Sequence, residues 1–317
     1  MPGLHIPGPK RNGGASLRTV LTAVGANLGI AVAKAVAAMI TGSVALWAEA
    51  LHSFADTGTE VLMLVGLRRS GRAEDQRHPF GYGQEHYFWA FLASLAIFLI
   101  GGVLSIAEGV ESLVAPRKLT TPWIGASVLV LAAAFEGYSW RVARRQLNTD
   151  ARERRRSVIE HLSRASDPSA ATVYLEDSAA LLGIALAMTG LLIHVFTGWA
   201  GSEGLASIAI GVLLIVVAAL LARRSKGLLI DESVPPDVLR PIRDALQRPD
   251  WIADIRRLDV VFVGPSQLLV VTTVAPVPQV VDAGGRELIR RVQRLRADLL
   301  RSPVIADVTI GIWAEHG

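Results

Sequence analysis

The chain has 317 residues, of which 51% are hydrophobic and 19% charged, with a mean hydropathy of +0.40. That balance belongs to membrane proteins rather than water-soluble domains. Cysteine is absent, which excludes disulfides and thiolate metal sites, and the net charge of +4 comes from clustered arginines that bear on membrane topology, not on nucleic-acid binding.

In chain order, residues 1–15 read as a flexible cytosolic tail with Lys10 and Arg11. No apolar core with a cleavage site follows at signal-peptide length, so the first long apolar segment is expected to stay as a helix. Segment one runs from about Leu17 to Ile40 and holds Asn27 and Lys34, both unusual in a membrane span. Asn27 is expected to hydrogen-bond between helices, and Lys34 to snorkel outward or pair with an intramembrane acid, with Glu108 or Glu111 as candidate partners. Thr41-Gly42 breaks the chain before segment two, about Ser43 to Leu67, which Arg68, Arg69, Arg72 and Arg77 terminate. Segment three covers about Tyr87 to Leu113 and segment four about Pro122 to Ala143. A basic stretch including Arg144, Arg145, Arg154, Arg155, Arg156 and Arg164 follows, and Asp167-Pro168 signals a new helix start. Segment five is about Ser169 to Phe196, with His194 near its end as a surface residue; segment six, about Gly204 to Ala222, is closed by Arg223, Arg224 and Lys226.

Six spans with both termini in the cytosol follow from the positive-inside rule, because the opposite connections hold only Arg117 and Lys118. From about Leu229 the texture changes to a helix, two alternating strands around Gly264-Pro265, a second helix and a last strand. The order αββαβ predicts a small two-layer, ferredoxin-like or metallochaperone-like α+β domain. The expected division is therefore a tail over 1–15, a six-helix polytopic membrane domain over 16–228 and a cytosolic dimerisation domain over 229–317.

The chemistry concentrates in segment two. Glu49, His52, Asp56 and Glu60 recur at spacings of three and four, so a helix puts them on one side. Ionisable groups at bilayer depth cost about 2.5–3.5 kcal/mol each on insertion scales, so such a stripe needs partners. His52 and Asp56, one turn apart, form a two-ligand clamp for zinc or another divalent transition metal. Segment five carries Glu176 and Asp177. Asp56 and Asp177 lie about ten and about nine residues from the inner boundary, so two helices can present His52, Asp56 and Asp177 at one level. The plainer alternative, a polar stripe on a soluble helix, is disfavoured by the length and apolarity of the neighbouring segments.

The stretch TGSVALWAEALHSFADT, the loop HPFGYGQE and the order of elements resemble the cation diffusion facilitator family over nearly the whole chain. The resemblance implies a homodimeric exporter of zinc or another divalent metal, exchanging metal for protons, with no organic cofactor. It implies paired ligands four residues apart on the second and fifth helices. His52 and Asp56 match the first pair and Asp177 the second member of the other. Val173 stands where the fourth ligand is expected and cannot bind metal. Glu176 and Glu49 are the remaining candidates for a ligand or supporting role, although Glu176 points about 100° away from Asp177 on a regular helix. An oxygen-rich ligand set leaves manganese, iron, cobalt and nickel open beside zinc.

A second site of some members, in the loop between helices two and three, maps to Asp75, His78 and Tyr82. Tyr82 replaces a histidine there, so that site is expected to be degraded. Gln84 replaces a basic residue that pairs in some members with an acid matched here by Asp231. No histidine lies between His194 and His316, so an imidazole zinc site in the cytosolic domain is not expected. Asp254, Asp259 and Asp282 read as ordinary surface acids.

The bilayer, a divalent cation and protons are thus the expected partners, in the cell inner or plasma membrane. The rival is a non-transporting regulatory or assembly protein of the same fold. No nucleophile–base pair, phosphate loop or cofactor motif supports an enzyme.

Overall fold

A computed structural model describes residues 17–153, 169–265 and 267–313. The expected tail, the arginines at 154–156 and 164, and the Asp167-Pro168 start signal lie outside the described residues.

Helix α1 (Leu17–Thr41) and α2 (Val44–Ser70) meet at a sharp turn. Gly42 adopts φ 73°, a left-handed conformation that favours glycine, and a Cβ there would lie 2.6 Å from the Lys118 carbonyl oxygen. Thr41 completes the turn: its hydroxyl donates to the Ala37 carbonyl at 2.7 Å and accepts the Ser43 N–H at 3.2 Å. The next helical run is α3 (Glu85–Ala96), a π-helical stretch (Ile97–Val103) and α4 (Leu104–Val114). Pro122 opens α5 (Pro122–Glu153) at the position where its missing N–H costs nothing. Then come α6 (Ser169–Thr197) and α7 (Gly201–Leu229).

Among the described residues, four helices are long and apolar enough to cross a membrane, over Val24–Thr41, Glu85–Val114, Val173–Thr197 and Gly201–Leu229. Helices α2 and α5 are as long but more polar; α2 carries Glu49, His52, Asp56 and Glu60. The helical core is built on small residues: Ala45, Ala48, Ala55 and Ala187 are wholly buried. Small side chains let backbones approach where apolar burial against lipid contributes little. This is clearest where α4 and the π-helical stretch meet α7. A Cβ on Gly109 would lie 2.7 Å from the Gly204 carbonyl oxygen, and one on Gly211 2.7 Å from that of Gly102. Large apolar residues such as Val130, Leu131, Phe135 and Leu182 stay exposed on the outer faces.

The remaining elements are α8 (Pro236–Gln247), β1 (Ile252–Gly264), β2 (Gln267–Pro276), the short α9 (Pro278–Asp282), α10 (Gly285–Leu300) and β3 (Ile305–Ile312). They form a three-stranded sheet in the order β1-β2-β3, with β1 antiparallel and β3 parallel to β2. A parallel neighbour requires a crossover, which α10 supplies. Val260, Val270, Val274, Val308, Ile242 and Leu246 form its core.

By contact the chain divides into two compact units. Among the described residues, one comprises 17–66 with those of 88–226; the other unites Leu67–Tyr87 with those of 227–313. Within the second unit, Tyr87 is 1% exposed and packs in the core of the sheet domain, while Gly83 lies against the backbone of Val263 and Gly264.

Candidate metal centre

His52 and Asp56 meet as their helical spacing requires, with Nε2 of His52 3.2 Å from Oδ2 of Asp56. The His52 side chain is 2% exposed and that of Asp56 20%. Helix α6 approaches His52 and its neighbour Glu49 at Gly183. A Cβ on that glycine would overlap Oε1 of Glu49 and stand 3.7 Å from Nδ1 of His52.

Several polar atoms on the two helices are buried without a hydrogen-bond partner: Oε1 of Glu49, Nδ1 of His52, Oδ1 of Asp56, Oε2 of Glu60, Oε1 of Glu176 and Oδ2 of Asp177. Buried polar atoms without partners are costly, and their concentration on two helices marks a place built to receive something polar. Asp177 is close enough to Asp56 to interact with its charge. Glu176 feels Asp56, Asp177, Glu60 and Glu136 in the same way. Among the described residues, however, no three His, Asp or Glu side chains converge closely enough to hold a metal ion together. The arrangement has two parts, a formed His52–Asp56 clamp on α2 and carboxylates on α6 within electrostatic range. Val173 is 41% exposed.

Glu49 is committed elsewhere. Its Oε2 accepts from Nζ of Lys34 at 3.0 Å, with both side chains at most 1% exposed, and Lys34 also donates to Ser53 Oγ at 2.8 Å. Lys34 thus pairs with an intramembrane acid, but that acid is Glu49; snorkelling, and Glu108 or Glu111 as its partner, are corrected. A buried ammonium is held by the nearest buried carboxylate, and Arg117 already serves Glu108 at 3.0 Å and Glu111 at 3.2 Å. Asn27 bonds between helices as expected, donating to Oε1 of Glu60 at 2.5 Å.

His194 is also corrected. It is not a surface residue: its ring is 14% exposed, with Nδ1 2.6 Å from Oε1 of Glu203 on α7. The other Glu203 oxygen accepts from the Ser43 hydroxyl, so one buried carboxylate ties the α1–α2 turn to the ends of α6 and α7. Glu136 was missed by motif reading, although a lone carboxylate in an apolar segment was signal enough. Gly183 had no signal of its own, because its importance comes from what faces it.

In the 67–87 stretch, Asp75 accepts from the Tyr82 hydroxyl at 2.7 Å and from the backbone N–H groups of Arg77 and His78 at 2.9 and 2.8 Å. These donors, the Tyr82 hydroxyl first, hold its carboxyl below the usual carboxylate range. His78 Nδ1 lies 3.4 Å from the same carboxylate, and its ring packs on Tyr82 at 4.1 Å between centroids. Gln84 keeps a contact with Asp231 without a cation, Nε2 donating to Oδ1 at 2.9 Å.

The fold and these side chains define the class, and comparison with known proteins agrees. The cation efflux transmembrane domain family matches residues 20–230, more than half of the chain. The chain belongs to this family, the cation diffusion facilitators, and is an integral membrane protein. It is 28% identical over 235 residues to the mitochondrial proton-coupled zinc antiporter SLC30A9 of Xenopus laevis, covering 74% of this chain and 42% of that protein. The human SLC30A9 protein is 29% identical over 214 residues, 68% of this chain and 38% of its own length. Metal tolerance protein C4 of Arabidopsis thaliana is 28% identical over 251 residues, 79% of this chain and 55% of its own length. The chain thus spans about half or less of the length of these relatives.

Proposed function

We propose that this protein exports a divalent metal cation, with zinc the favoured cargo, in exchange for protons and by alternating access. The observation that carries this reading is the set of partnerless buried atoms on two helices, on α2 beside the His52–Asp56 clamp and on α6 at Glu176 and Asp177. Imidazole and carboxylate suit zinc, and oxygen-rich coordination also admits manganese, iron, cobalt or nickel. Glu176 is the carboxylate available to supplement the set where Val173 contributes nothing. Metal and protons compete for the same atoms, because binding needs a neutral imidazole and ionised carboxylates. An unperturbed histidine titrates near ~6.5, within the span of an ordinary pH gradient. The names of the zinc-antiporter relatives support proton coupling.

In this reading α1, α2, the α3–α4 run, α5, α6 and α7 are the six spans. Both termini face the cytosol, and the region 229–317 is a cytosolic dimerisation domain of a homodimer in the inner or plasma membrane. Asp75 and His78 serve the loop rather than a second metal site, since hydrogen bonds already occupy the Asp75 carboxylate.

The test is zinc flux into liposomes holding the purified protein and a zinc dye, with a pH gradient imposed. Asp56→Ala and Asp177→Ala should each abolish zinc flux and the accompanying proton movement. Unchanged flux in Asp56→Ala would remove the site.

A further inference from the structure

The Lys34–Glu49 pair has a feature that simple charge neutralisation leaves unexplained. Lys34 grips only one Glu49 oxygen, Oε2, and braces itself on Ser53 one turn further along α2. The other oxygen, Oε1, has no partner and lies 3.9 Å from Nδ1 of His52, which also has none. That separation is too long for a hydrogen bond, but a small rotation of the imidazole closes it. The opposite ring nitrogen, Nε2, faces Asp56 at 3.2 Å. Directly across, Gly183 leaves room for Oε1 that a Cβ would occupy.

We infer that Lys34 and Glu49 are positioning residues for His52: Lys34 anchors the Glu49 carboxylate so that its free oxygen receives the Nδ1–H of His52, presenting the Nε2 lone pair to the cation. This rests on the reading of His52 as a cargo ligand. The chemistry is that of a carboxylate holding the far nitrogen of a metal-binding histidine, which fixes both ring orientation and tautomer. Lys34 balances the charge that Glu49 brings, so the carboxylate can stay buried beside the site without becoming a ligand itself. Gly183 is the third part of the device, because any side chain there displaces Oε1 from the ring.

The experiment measures zinc affinity of the full-length protein in nanodiscs by competition with a fluorescent chelator, with thermal unfolding of each variant as a fold control. His52→Ala should lose affinity; if it does not, the ligand reading fails and this inference falls with it. If His52→Ala loses affinity, the apolar pair Lys34→Met/Glu49→Met should still melt near the wild type yet bind zinc about 10–100-fold more weakly, the range for loss of such supporting groups. Gly183→Ala should weaken binding in the same direction with no change of charge. A folded double variant or a folded Gly183→Ala with wild-type affinity overturns the positioning role. Nitrogen-15 histidine spectra of the wild type with zinc give an answer that needs no positioning variant to fold. His52, assigned by its absence in His52→Ala, should show a protonated Nδ1 and a metal-bound Nε2. Zinc on Nδ1 would overturn the inference.

Discussion

At the scale of single residues, carboxylates take different parts according to what stands within about 4 Å. Glu49 and Asp56 flank the same histidine and each keeps one oxygen without a partner, yet Lys34 holds Glu49 while Asp56 faces Nε2 of His52. Asp75 is a third case, exposed and fastened by donors. Its carboxyl titrates below its unfolded value near ~3.9. The loop is therefore stabilised above that value and loses this contribution only as pH falls through the lower folded value. The Asp75 carboxyl-carbon resonance should titrate with a midpoint below the ~3.9 of a free aspartate. Asp75→Asn should shift the amide resonances of Arg77 and His78 at neutral pH. The pairing of His52 with Asp56 was legible from spacing alone. The pairing of Lys34 with Glu49 was not, because it depends on how α1 rotates about its axis against α2.

At the scale of elements, each expected segment corresponds to a helix, because long apolar runs bounded by arginines leave the backbone little alternative in a membrane. The π-helical stretch at Ile97–Val103 was not legible, since no sequence signal distinguishes one widened turn from its neighbours. It contains Gly101 and Gly102, and Gly101 stands against Leu214 and Ala55, the residue preceding Asp56. The glycine contacts that follow make α4 and α7 sensitive to any added side chain. Gly109→Val should force the helices apart, because backbone of α7 stands in the way and cannot yield as a side chain would. The expected destabilisation is about 1–3 kcal/mol, read as a lowered melting temperature in detergent. Gly137→Val, where an added Cβ would meet nothing within 4 Å, is the control that should melt within a degree or two of the wild type.

At the scale of the whole molecule, the sheet domain recruits a stretch distant in sequence. Tyr87 belongs to the core made by Val234, Ile242, Val260 and Val270, so the domain is not a self-contained run of the C-terminal chain. Tyr87→Ala should cost about 3–5 kcal/mol of local stability. Limited proteolysis should cut that variant faster in the region after Gly227, while zinc binding at His52 and Asp56 stays at the wild-type level. Loss of zinc binding in that variant would contradict the separation of the two units.

Composition, apolar run length and helical spacing were enough, by themselves, to establish a membrane protein with a small C-terminal α+β domain and to nominate His52, Asp56 and Asp177. These properties are local: hydropathy and the 3.6-residue period are written in consecutive residues. Which carboxylate Lys34 neutralises, that His194 turns inward to Glu203, that Gly183 makes room beside the clamp and that Tyr87 completes a distant core were decided by tertiary structure alone. Each depends on the rotation and approach of elements far apart in the chain, and a buried charge takes the partner that packing brings to it.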